Sequence, residues 1–124
     1  MISRSLRWTL PILVLMCVTV SAHEAQARTF FITGNELVGW MKGYDIQKRG
    51  DCREVECRGY ATSFLVYVVG VFDASFFDQP MPGGVTRDKL AEVVSKYLKE
   101  NPKRWGNPAS TLVIDALTKA FPLK

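Results

Sequence analysis

From Leu90 onward, the apolar positions Leu90, Val93, Val94, Tyr97 and Leu98 recur at intervals of 3, 4, 7 and 8 residues. That spacing gathers side chains on one face of an α-helix. Thr86 stands before the stripe as a cap, Asp88 falls in the first turn, and Asn101-Pro102 stops the helix. A threonine hydroxyl satisfies a free amide, an acidic group suits the positive helix end, and proline cannot extend the hydrogen-bond ladder. Leu112, Val113, Ala116, Leu117 and Ala120 predict a further inward face, opened by Asn107-Pro108 and closed at Phe121-Pro122. The proline is expected at the first helical position, where its missing N–H costs nothing. Upstream, Thr33-Gly34-Asn35 offers a cap for a short helix with Glu36 in its first turn, ending near Tyr44. Ile46 to Asp51 is polar and contains Gly50, so it reads as a loop.

The segment between that loop and Pro80 has two readings. Phe64 to Phe72 is continuous and rich in β-branched residues, as in a buried strand. Apolar character nevertheless extends from Val55 to Phe77 without a turn signal, too long for one strand. We therefore read a helix from about Arg53 to Phe77, capped by Asp51 and ended by Pro80, Pro82, Gly83 and Gly84. It is apolar on nearly all sides and holds Gly59, Ala61, Ser63, Gly70 and Ala74, which place it at the centre of a bundle. Each interior glycine costs about 1 kcal/mol relative to alanine. The expected fold is all-α, a small bundle of about four helices, the short first one laid across the three main ones.

The N-terminus changes the compartment and the residue inventory. Arg4 and Arg7 precede an apolar run from Leu10 to Val20, and Ala25-Gln26-Ala27 closes with small residues before Arg28. Residues 1–27 thus read as a cleaved signal peptide, the run being shorter than the roughly 20 residues a spanning helix needs. Met16 before Cys17 does not fit a lipoprotein signal. The working protein is then residues 28–124, one exported domain with no membrane segment after cleavage. The leader removes Arg4, Arg7 and Glu24, leaving 14 basic against 11 acidic residues. Such a mild, dispersed excess indicates no nucleic acid partner.

His23 is the chain's one histidine and leaves with the leader. The mature chain then has no Ser-His or Cys-His pair and no imidazole for a metal. Asp73 and Asp78 diverge by about 140° on a helix, too far apart for a carboxylate pair. Asp73, inside an apolar helix, reads as a satisfied polar group or a helix-terminal contact. Gly83-Gly84-Val85-Thr86 could cradle a phosphate, but helix initiation accounts for it. No enzyme, cofactor or metal site is expected. Cys52 and Cys57 in one regular helix would lie roughly 8 Å apart at Cα, beyond disulfide reach. A bond requires Cys52 in the loop, folded back over the first turn; two free thiols or an intermolecular bridge through Cys52 are the alternatives.

Cys57-Arg58-Gly59-Tyr60, followed by Val69-Gly70-Val71-Phe72-Asp73-Ala74, resembles a helix of the Rap/Tai family of type VI secretion immunity proteins. Gly84-Val85-Thr86, Leu90, Val93-Val94, Lys96-Tyr97-Leu98, Pro102, Ala109, Leu112-Val113, Ala116-Leu117 and Ala120-Phe121-Pro122 follow that family's order. The resemblance implies a helical periplasmic protein, often a homodimer, that binds and blocks a peptidoglycan amidase effector through a protruding loop or helix end. Met81 and Leu123 stand where members commonly carry cysteines, and a further usual cysteine near Met41 is absent.

Among possible contact surfaces, Lys103, Arg104, Trp105 and Asn107 form a polar turn between prolines. Tryptophan beside arginine is the composition of a binding hot spot. Trp105 either projects there or folds back to close the bundle. Trp40 with Tyr44 is a second candidate that reads rather as core, and the turn from Asp78 to Gly84 is a third. The expected function is a periplasmic immunity protein that inhibits by binding; the alternative is a periplasmic chaperone or envelope-stress binding protein.

Overall fold

The computed structural model describes residues 30–80 and 83–122. The leader expected over residues 1–27, and the substituted positions Met81 and Leu123, lie outside the described residues. Four α-helices account for the fold: α1 (Gly34–Lys48), α2 (Val55–Phe76), α3 (Arg87–Glu100) and α4 (Ala109–Ala120). A 3₁₀ turn, Pro102–Arg104, separates the last two. Among the described residues the sole β pairing is an isolated bridge between Thr33 and Pro108. The fold is all-α, as the periodicity predicts.

Thr33 caps α1 in a capping box: Glu36 N donates to its hydroxyl at 3.2 Å while the Glu36 carboxylate accepts from Thr33 N at 2.8 Å. This satisfies donors that the first turn would otherwise leave open. The helix continues to Lys48 and does not end near Tyr44, so the first half of the expected loop, Ile46 to Lys48, is helical. Hydropathy misjudges this turn because its polar side chains have partners on α3. Lys48 pairs with Glu92 at 3.0 Å, Asp45 pairs with Lys99 at 2.7 Å, and the Ser95 hydroxyl donates to Asp45 at 3.2 Å. Gly50, at φ 79°, then lets the chain turn out of the helix.

The start of α2 also differs from expectation. Glu54, not Asp51, is its N-cap, and no side chain caps it. Instead Cys52, outside the helix, is disulfide-bonded to Cys57 in the first turn, with Cα atoms 5.7 Å apart. That is the folded-back geometry which a bond at this spacing requires. α2 runs antiparallel to α1, with Trp40 meeting Tyr67 edge-on at 5.9 Å and Tyr44 tilted against Phe64 at 5.3 Å.

The remaining helices follow the predicted stripes closely. Thr86 caps α3 by accepting from Lys89 N at 3.1 Å, and Leu90, Val94, Tyr97 and Leu98 are buried. On α4, Leu112, Val113, Ala116 and Leu117 are buried, but Ala120 is exposed. Pro108 is its N-cap in extended geometry, one position before the place expected for it. The core joins these faces to Leu37, Val38, Met41, Ala61, Phe64, Val68 and Phe76.

The main correction concerns α2. It is buried on one side only, through Ala61, Phe64, Val68 and Phe76. Val55, Val66 and Phe77 are 77%, 63% and 83% exposed. Three helices cannot surround a fourth when they all pack to one side of it. Asp73, expected to be a satisfied polar group or a helix-terminal contact, is an exposed carboxylate in the last turn of α2.

Candidate partner-binding surface

The turn after α3 is a braced corner. Asn101 donates through its side-chain amide to the Tyr97 carbonyl at 2.8 Å, which closes the end of α3. Pro102 then starts the 3₁₀ turn, and Trp105 N donates to the Pro102 carbonyl at 3.3 Å. The Arg104 guanidinium forms an ion pair with Asp115 of α4 at 2.7 Å and also donates to the Tyr97 hydroxyl. The bond to Asp115 raises the arginine pKa further, so its charge is permanent.

Of the two readings of Trp105, the structure has the one in which it folds back. Its ring packs on the core, half-buried, and the indole N–H donates to the Leu98 carbonyl at 2.8 Å. Asn107 accepts at its carbonyl from Gly34 N at 2.8 Å, and Ala109 N donates to the Ile32 carbonyl at 3.0 Å. The corner is thereby sewn to the start of α1. Gly34 is buried here, and a Cβ on it would lie 2.5 Å from both the Trp105 carbonyl oxygen and a Leu112 methyl. Of the four candidate residues, Lys103 alone is exposed. The four are brought together in space, with Lys103 outward and Arg104, Trp105 and Asn107 acting as its frame.

The second candidate, Trp40 with Tyr44, belongs to the core side. Tyr44 is 5% exposed, and its hydroxyl lies within 3.4 Å of the Asp88 carbonyl oxygen, to which it donates. Burial first, and the Asp88 carboxylate second, push its pKa up to about 12. Burial likewise raises Tyr67, opposed by hydrogen bonding to Ser110.

The outward face of α2 is not evident from hydropathy. On a 3.6-residue period Val55, Gly59, Val66, Gly70, Asp73 and Phe77 cluster on one side, opposite Phe64 and Val68. The two glycines that share a face with Val66 are the signal for it. The opposite, core-facing side is equally apolar, and that hides the distinction. By length and composition α2 could also cross a membrane, yet it packs against α1, α3 and α4. No group of three histidine, cysteine, aspartate or glutamate residues converges as a metal site among the described residues.

These features define a small disulfide-bearing helical protein with braced surfaces. The family model of Rap1a immunity proteins matches residues 33–123, and the chain belongs to that family. Membership implies a protein that acts by binding an effector protein. No curated protein and no solved structure matches the chain.

Proposed function

We propose that this immunity protein is exported to the periplasm through residues 1–27 and there binds and blocks a type VI secretion peptidoglycan amidase, with no catalysis of its own. The family match over residues 33–123 carries this reading. The disulfide between Cys52 and Cys57 accords with an oxidising compartment. The contact we assign is the corner Lys103, Arg104, Trp105 and Asn107. Its frame is fixed before binding by Asp115, Tyr97 and Leu98. A pre-ordered surface loses little entropy when a partner docks, and Lys103 offers it a cation. The protein acts as a homodimer.

Purification of the exported chain from the producing cell tests the reading. A stoichiometric complex with a secreted amidase, whose peptidoglycan cleavage is blocked in the complex, is expected. A chain that carries no such partner and suppresses aggregation of unrelated envelope proteins would establish the chaperone alternative instead.

A further inference from the structure

We infer that the groove between α3 and α4 receives an acidic segment of the effector, whose apolar side chains seat on its floor while its carboxylates meet a rim of lysines. This rests on the effector reading above and supplies the chemistry of the effector's side of the contact.

The groove holds about 330 Å³, and its floor is half-buried Val93 of α3 with Ala116 and Ala120 of α4. Two alanines present no bulk to hold an approaching chain off, so an apolar face can settle between the two helices. Lys89, Lys96 and Lys119 stand around this floor, all exposed, against one carboxylate, Glu100. Lys96 meets Glu100 at 3.9 Å with both side chains more than half exposed, an arrangement that contributes little. Lys89 and Lys119 take part in none of the ion pairs of the described residues. On the α1 side of α3 the charges are matched instead, Lys48 with Glu92 and Lys99 with Asp45. Unanswered positive charge thus gathers on the α4 side.

Charge, shape and position name the occupant. Lysines around an apolar floor complement carboxylates that flank an apolar side chain. Lys89 and Lys96, seven residues apart on one helix, are separated by roughly 10 Å along its axis, so the anionic groups must be spread along the occupant. A protein segment with several acidic residues supplies that spread, whereas a single lipid headgroup does not. With Ala120 exposed, the floor does not enclose an acyl chain either. The groove also joins the corner assigned to the effector: Tyr97 lines it, and Arg104 of the corner donates to the Tyr97 hydroxyl. An effector seated on Lys103 therefore meets the groove as a continuation of the same surface.

Calorimetric titration of the chain from residue 28 onward with the amidase proposed as its effector tests this. The double variant Lys89→Glu with Lys119→Glu should weaken binding at least about tenfold, with helical circular dichroism and cooperative unfolding retained. Raised salt should weaken the wild-type complex and change that of the variant less. Carbodiimide coupling, which joins a lysine amine to a carboxylate in contact with it, should link Lys89 or Lys119 to acidic residues in one segment of the amidase. Wild-type affinity in the double variant, or coupling of the complex that never includes these lysines, would overturn the inference and leave the proposed function standing. A wild type that sediments with phosphatidylglycerol vesicles through Lys89 and Lys119, the amidase complex being indifferent to both, would give the groove to lipid and also overturn it. A wild-type chain that binds no amidase would overturn the inference and the proposed function together.

Discussion

At Gly34 one added methyl group decides whether the corner after α3 can reach α1. A Cβ there would press on a carbonyl oxygen that the corner's own hydrogen bonds hold in place. Gly34→Ala is therefore expected to destabilise the fold by about 1–3 kcal/mol, as overpacking usually does, which chemical denaturation would read directly. Trp105→Ala removes core packing together with the bond to the Leu98 carbonyl, a loss of about 2–3 kcal/mol. A weaker effector complex in that variant would reflect folding as much as contact. Lys103→Glu is the cleaner probe, since the side chain is exposed: unchanged unfolding with weakened effector binding is expected. Tyr44 supplies a test by pH. Its folded pKa, about 12, lies above the ordinary value of 10.0. The folded state therefore holds the phenol proton more tightly, a stabilisation fully present below about pH 10 and lost as pH rises toward about 12. Tyr44→Phe should remove that alkaline loss, seen as a flatter stability profile in the difference from wild type.

At the scale of the helices, what is legible in the sequence follows from how local each cause is. α3 can be read because its cap, its stripe and its stop all lie within its own residues. α1 reads correctly at Thr33 and wrongly at its end, because Asp45 and Lys48 find their partners on α3, more than forty residues away. No window around Ile46 contains that information. α2 is legible as a helix, but its exposure is not: a side facing the core and a side facing solvent are both apolar, and hydropathy gives them the same weight. The fate of Trp105 depends likewise on the Leu98 carbonyl, which helix geometry places but composition does not reveal. The folded-back Cys52 is legible as the condition for a bond within the chain, since five residues of regular helix would hold the two cysteines too far apart. That bond closes a short loop and should contribute about 2 kcal/mol by the loop-entropy relation. Reduction is expected to lower the unfolding free energy by that amount with little change in helical dichroism; an unchanged midpoint would show that it constrains nothing.

At the scale of the molecule, two surfaces differ in character. The corner around Lys103 is rigid and charged, braced by Asp115 and Tyr97. The α2 face is apolar and glycine-bearing. We assign the first to the effector. An inhibitor needs a pre-ordered surface, and the corner around Lys103 supplies one. Membership of the Rap1a immunity family fits a protein that acts by binding an effector. The most direct measurement is the rate of peptidoglycan cleavage by the amidase proposed as its effector, with and without one equivalent of the chain from residue 28 onward. Cleavage should stop at equimolar protein, and Lys103→Glu should restore part of it. Undiminished cleavage, with no complex on gel filtration, would contradict inhibition by binding.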